Sequence, residues 1–241
     1  MGGSAVGGTV TRGGPTATRA SRTTKPTPTA RIGMLGGTFD PIHAGHLGLA
    51  RVALDQLGLD RILFVPAGQP PHKRGRRITE AEHRLAMVEL AIADEPRFGV
   101  SRMEIDRPGL SYTADTAEAL VAGRREFDRE PLDLTVILSA ESFAGLPSWH
   151  DPARLLRLAR IAVAPRPGHP APTPGWLAQR LPGFADRVVI LEGPHLDISA
   201  SDIRARVAAG LSIEHLVSPP VAAYIGAHHL YSEPQSRKGQ S

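Results

Sequence analysis

The 241-residue chain contains no cysteine, which excludes a disulfide framework and thiolate metal sites and suits a reducing cytosol. No apolar run approaches the roughly 18 residues that a membrane span requires. The chain is therefore read as soluble and cytoplasmic, with no membrane partner. Aromatic residues make up only 5% of it, and no run of them offers a stacking platform for RNA bases. Acids are missing from the first 31 residues, where Arg12, Arg19, Arg22, Lys25 and Arg31 stand alone. With +5 in that stretch and +1 from Ser232 onward, the net charge of +4 leaves −2 for the residues between. A body of that sign has no general electrostatic footprint for nucleic acid. The basicity belongs to the ends.

What remains is ordinary globular material, 41% hydrophobic and 22% charged, long enough for one good-sized core. Residues 1–30 are Gly, Thr, Ser, Ala, Pro and Arg with little to bury, and are expected to form a disordered tail, as are residues 232–241. No h-region marks a secretory signal. Between the tails, short apolar runs alternate with segments of helical spacing. Strands are expected at Ile32–Leu35, Ile62–Val65, Phe98–Ile105, Leu134–Leu138, Ile161–Ala164 and Val188–Leu191. Helices are expected at His46–Leu57, Glu80–Ala93 (capped by Thr79, with Leu85, Val88, Leu90 and Ile92 as its apolar face), Tyr112–Ala122 and Pro152–Leu158. Three more should follow, at Ser201–Ala209, Ile213–Val217 and Val221–His228. This alternation implies one α/β domain over residues 31–231, a doubly wound parallel sheet followed by a small C-terminal helical part. Ligands in such a sheet sit beyond the carboxyl ends of the strands, at the topological switch point.

The densest motif is the twelve-residue run from Gly36 to Leu47. Gly36 and Gly37 follow a strand and let the backbone, with the amides of Thr38 and Phe39, pass close to a phosphate. His43 and His46 stand three apart at a helix entry, where both rings can face one point beside a partial positive charge. Gly45 between them leaves room for a nucleotide against the backbone. Two plain helix-start histidines, or a metal pair, are the competing readings. No third or fourth ligand stands nearby, so no metal site is expected. A second motif, Ile198 to Arg204, places Ser199 and Ser201 at a helix start and Arg204 one turn in, a ready clamp for a polyphosphate as well as a cap.

These two runs resemble the H-x-G-H and I-S-S-T-x-I-R motifs of the nucleotidyltransferase superfamily, with Ala200 and Ser201 where Ser and Thr are commoner. Three others narrow the resemblance. Pro70-Pro71-His72-Lys73 is similar to a P-P-H-K loop, Ser111–Thr116 to S-Y-T-x-D-T, and Leu146–Trp149 to L-x-x-W. With the closing Leu230-Tyr231 they span residues 31–231 and resemble the bacterial nicotinate-nucleotide adenylyltransferases of NAD biosynthesis. The resemblance implies a Rossmann-like fold and transfer of AMP from ATP to nicotinate mononucleotide, with Mg²⁺ carried mainly by the ATP phosphates. It further implies catalytic roles for His43, His46, Lys73 and Arg204, and ATP contacts from Gly36–Phe39, Gly45, Ser199, Ser201 and Glu141. Trp149 would stack on the pyridine ring, and Tyr112, Thr113 and His150 would complete the acceptor site. The departure is Ser139-Ala140-Glu141, where the family has Gly-x-Asp. The alternatives are nicotinamide-nucleotide or pantetheine-phosphate adenylyltransferase, or a non-catalytic nucleotide-binding protein on the same fold.

Overall fold

The computed structural model describes residues 1–3, 29–71, 78–123, 132–165, 168–169, 171–193 and 198–232. Six strands form one sheet: β1 (Ala30–Gly37), β2 (Arg61–Pro66), β3 (Phe98–Val100), β4 (Leu132–Ser139), β5 (Arg160–Ala164) and β6 (Val188–Ile190). Their order is β3-β2-β1-β4-β5-β6, and every neighbouring pair is parallel. That is the doubly wound order, and its switch point lies between the carboxyl ends of β1 and β4. Buried on both faces, the strands read as continuous apolar runs, as parallel sheets require. Leu35, Ile62, Phe64 and Ile137 point into one core, whereas Ile32, Met34, Leu63, Val65 and Val136 point into the other.

The first core is covered by α1 (Ala44–Gln56), α2 (Ala81–Ile92), α8 (Ala200–Ala208) and α9 (Pro219–Ala227). The second is covered by α4 (Thr113–Ala122), α5 (Ala140–Ala144), α6 (Pro152–Leu158) and α7 (Pro174–Arg180). A four-residue helix, α3 (Met103–Asp106), lies ahead of α4. The C-terminal helices are integral to the first core, since Ile203, Val221 and Ile225 are fully buried in it. Gly33 is a packing requirement in β1: a Cβ there would stand 2.5–2.9 Å from methyls of Ile62, Leu59 and Ile137.

Several local expectations are corrected. The strand from Phe98 ends at Val100, because β3 is an edge strand paired only with β2 over three residues, and residues 103–106 turn helical. Thr79 does not cap α2. Glu80 holds the cap position without a side-chain bond, and Thr79 turns its backbone elsewhere, as described below. Leu90, expected on the buried face of α2, is exposed, while Arg84 is buried. Residues 213–217 form a turn, not a helix, with Leu216 and Val217 both donating to the Ile213 carbonyl. Two helices went unread. In α5, Ser139 caps the helix by accepting from the Ser142 amide at 3.2 Å; in α7, Thr173 caps ahead of Pro174. The first strand, expected at Ile32–Leu35, begins at Ala30, which pairs with Leu132. The rest of the expected tails, apart from residues 1–3, 29 and Ser232, lie outside the described residues.

Candidate active site

The loop from β1 to α1 leaves the switch point and immediately reverses. Phe39 adopts a left-handed conformation (φ 50°), which drives its ring into the core against Phe64 and edge-on to His46. Thus Phe39 offers a ligand only its backbone. His43 occupies the N-cap position of α1, and its amide donates to His46 Nδ1 at 3.3 Å. The two rings stack with centroids 3.8 Å apart and planes 29° from parallel. A neutral His46 that accepts at Nδ1 carries its proton on Nε2, so that nitrogen is a donor. A Cβ on Gly45 would lie 3.0 Å from His43 Nδ1 and 3.8 Å from the Ile198 Cβ. Glycine therefore keeps this position clear of the His43 ring, and the Leu216 carbonyl accepts the preceding Ala44 amide at 2.8 Å.

Helix α8 begins with a reciprocal cap: Ser199 Oγ accepts from the Asp202 amide at 3.1 Å and donates to its carboxylate at 2.7 Å. Arg204, one turn in, donates to the Asp40 carbonyl at 2.7 Å and to Ser201 Oγ at 3.2 Å. Two helix N-termini thus converge, each bringing partial positive charge and each carrying the cationic or polar side chains anticipated for it. Asp40 itself is buried, its carboxylate accepting from the Tyr231 hydroxyl at 2.7 Å and the Thr79 amide at 3.4 Å.

Arg84 is the residue that the sequence gave least reason to suspect. It is 1% exposed and donates to three carbonyls, Thr38 at 2.7 Å, Thr79 at 2.9 Å and Gly68 at 3.4 Å. Burial lowers its pKa below the ordinary arginine value, and the nearby charge of Asp40 works against that loss. A lone arginine on a helical face has no sequence signature of such a role. Its three bonds tie the loop after β1 to the loop after β2.

From Gly68 the connection continues. Ser111 Oγ accepts the amides of Gly68 and Gln69 at 3.0 and 3.2 Å. A Cβ on Gly68 would come 2.1 Å from the Glu104 carbonyl, so only glycine fits this close approach. Beneath it, Thr116 donates to the Glu104 carboxylate at 2.6 Å and accepts from Arg107 at 3.0 Å. Burial pushes the Glu104 carboxyl above the ordinary range, while the bonds from Thr116 and Ser111 and the charge of Arg107 oppose the rise. This polar layer supports Tyr112, at the N-cap position of α4, and Thr113, its first residue.

Tyr112 stacks on His150, with centroids 4.3 Å apart. Trp149 is partly buried against the second core, beside the Phe143–Leu146 segment. Arg154 of α6 pairs with Asp115 and Glu118 of α4, joining the Trp149–His150 segment to the start of α4. Asp151 turns the chain between them, left-handed at φ 47° and capping α6. A cleft of about 530 Å³ opens beside this region, bounded by Gln69, Pro70, Thr79, Glu80, Arg84 and Leu110 among others. The expected residues therefore gather in two groups. Gly36–Phe39, His43, Gly45, His46, Ser199, Ser201 and Arg204 form one; Tyr112, Thr113, Trp149 and His150 form the other. The Arg84–Gly68–Ser111 connection links them. Glu141 is exposed in the first turn of α5, at the end of β4. Lys73 lies outside the described residues.

The chain is similar to known proteins in sequence and in fold. A family model described as cytidylyltransferase-like matches residues 34–206. A probable nicotinate-nucleotide adenylyltransferase of Roseiflexus sp. (strain RS-1) is 48% identical over 202 residues, covering 84% of this chain and 98% of that protein. A protein of the same description from Symbiobacterium thermophilum is 43% identical over 208 residues, covering 86% and 98%. In fold, the chain is similar to the Plasmodium falciparum nicotinic acid mononucleotide adenylyltransferase complexed with NaAD. The TM-score is 0.66 at 20% identity, over 84% of this chain and 97% of that one.

Proposed function

The chain belongs to the cytidylyltransferase-like family, and we propose that it transfers the adenylyl group of ATP to nicotinate mononucleotide, giving deamido-NAD and pyrophosphate in NAD biosynthesis. The observation that carries this reading is the bond from Arg204 to the carbonyl of Asp40, 164 residues away in sequence, which joins two helix starts suited to phosphate beside stacked His43 and His46. Relatives at 43–48% identity that are described as nicotinate-nucleotide adenylyltransferases, matched over nearly their whole length, support the choice of acceptor.

In this reading an acceptor phosphate oxygen attacks the α-phosphorus in line, the bond to the bridging oxygen breaks, and pyrophosphate leaves. Nothing covalent is required of the protein. Catalysis is positioning and stabilisation of charge on the α-phosphate and the leaving group. The backbone of Gly36–Phe39 and the start of α8 hold phosphates, and His46 Nε2, His43 and Arg204 donate to oxygens that gain charge. Lys73 is assigned to the same task by its motif alone. Ser199, Ser201 and Gly45 line the ATP path, and Glu141 is assigned to the nucleotide because it stands where the family has Asp. Among the described residues no group of three or more His, Cys, Asp or Glu stands ready to hold a metal ion. Mg²⁺ enters here as part of the substrate, held on phosphate oxygens.

For the acceptor, Trp149 provides a stacking face, with Tyr112 and His150 beside it. The Thr113 amide, at the start of α4, suits the carboxylate of a nicotinate ring. The test is product formation with purified protein, ATP and one acceptor at a time. One dinucleotide and one pyrophosphate per nicotinate mononucleotide consumed is the expected result. Turnover of phosphopantetheine instead would leave only the family assignment standing.

A further inference from the structure

Four of the described residues other than glycine have positive φ, and three of them lie at or within two residues of the contact between Asp40 and Tyr231: Phe39 at 50°, His229 at 51° and Tyr231 at 65°. Large side chains hold such conformations only where their surroundings over-determine them. Here the surroundings are identifiable. After α9 the chain turns back on itself, with the Leu230 amide donating to the Ile225 carbonyl at 3.0 Å and Ser232 Oγ to the His229 carbonyl at 2.7 Å. The turn delivers Tyr231 to Asp40 from a distance of 191 residues, and its hydroxyl donates to Asp40 Oδ1 at 2.7 Å. Burial and the carboxylate beside it push the phenol above the ordinary tyrosine range, so it stays a donor at any working pH. Asp40 in turn has its other carboxylate oxygen on the Thr79 amide and its carbonyl on Arg204. It stands three residues before His43.

We propose that Tyr231 is a positioning residue for adenylyl transfer, its hydroxyl holding the Asp40 carboxylate and thereby leaving Arg204 and the Phe39–His46 turn aimed at the phosphates. Without the hydroxyl, a buried carboxylate oxygen lacks its donor. Arg204 is a cation close at hand, already at 2.7 Å from the carbonyl of the same residue. Its guanidinium then turns to Asp40 and away from the substrate. The inference rests on the transferase reading above, and its rival is a Tyr231 that merely anchors the chain after α9.

Tyr231→Phe removes the hydroxyl and keeps the packing. With ATP and nicotinate mononucleotide, kcat should fall about tenfold, the rate equivalent of one hydrogen bond to a charged group, while KM for the acceptor stays within about twofold. Asp40→Asn should lower kcat comparably. Because the two act through one contact, the double variant should lose about as much as either single one, not the product. Tyr224→Phe, whose hydroxyl meets His83 between α2 and α9, should match the parent. A variant that melts lower but turns over like the parent at a temperature where both are folded overturns the proposal, as do losses that multiply. A parent without turnover overturns the transferase reading instead. Calorimetric binding of a non-hydrolysable ATP analogue then still decides the role of Tyr231: threefold or greater weakening in Tyr231→Phe, roughly the loss of a weakened phosphate contact, supports it, and unchanged binding overturns it.

Discussion

The two ends of the site are built on opposite plans. At the end proposed to take phosphates the buried network reaches the site itself: His43, Asp40 and Arg84 are all less than a tenth exposed, and the bonds of Asp40 and Arg84 join the loops after β1 and after β2. At the acceptor end the network lies one layer down, in Glu104, Ser111 and Thr116. The groups that would meet a ligand, Tyr112, Trp149 and His150, stand on the rim, with Tyr112 and His150 touching by ring stacking. The difference follows from what each end must do. Charge develops at the α-phosphate during the reaction, and fixed dipoles stabilise it without the cost of reorganising. An acceptor ring has only to be recognised and admitted, which suits side chains with room to adjust.

The largest test of this contrast is His46→Ala. Loss of one donor aimed at developing charge should lower kcat by about 10²-fold, close to 3 kcal/mol of transition-state stabilisation, with KM for nicotinate mononucleotide nearly unmoved. Steady-state kinetics read both parameters, and an unchanged kcat would break the assignment of the phosphate end. Arg84→Met probes the link between the ends. Three carbonyls lose their shared donor, and about 2 kcal/mol or more of folding stability should go with it, measured by urea denaturation. Unlike the histidine variant, this one should raise KM for both ATP and acceptor, since both loops are released.

Trp149→Ala should act on the acceptor end alone. Removing an aromatic stacking face is expected to raise the acceptor KM by about tenfold and leave the ATP KM as it was. A fall in kcat instead would mean that the two ends are not separable. The smallest effect concerns the layer below. Folding raises the Glu104 pKa, so the folded chain holds a proton that the unfolded chain releases, and stability falls as pH climbs from the unfolded value through the folded one. Glu104→Gln removes that dependence. The melting temperature of the variant minus that of the parent should therefore grow more positive between about pH 4 and pH 7. A difference that ignores pH would show that this carboxyl is not desolvated.

Much of the phosphate end was legible because it is local. Gly36 to Leu47 is one continuous run, and Ser199 to Arg204 another, so glycine freedom, histidine spacing and capping chemistry could be read without a fold. The sheet was legible for a related reason, since buried parallel strands are unbroken apolar runs. What could not be read depends on contacts far apart in sequence. Arg84 looks like any surface arginine until Thr38 and Gly68 are beside it, and Tyr231 means nothing until the chain returns to Asp40. Residues 213–217 have helical spacing, yet they dock as a turn on the start of α1. The Ser139 hydroxyl, read only as a departure from Gly-x-Asp, caps α5, a helix too short to show periodicity.

Acceptor choice tests the central claim most directly. If main-chain amides at the start of α4 receive the substituent of the pyridine ring, they suit a carboxylate, which only accepts hydrogen bonds, and not an amide NH₂, which would leave donors facing donors. Stacking on Trp149 cannot discriminate, because both rings present similar faces. The measurement is kcat/KM for nicotinate and for nicotinamide mononucleotide under one set of conditions with saturating ATP. The account predicts a preference for nicotinate of about 10²-fold or more. Equal values for the two acceptors would contradict it.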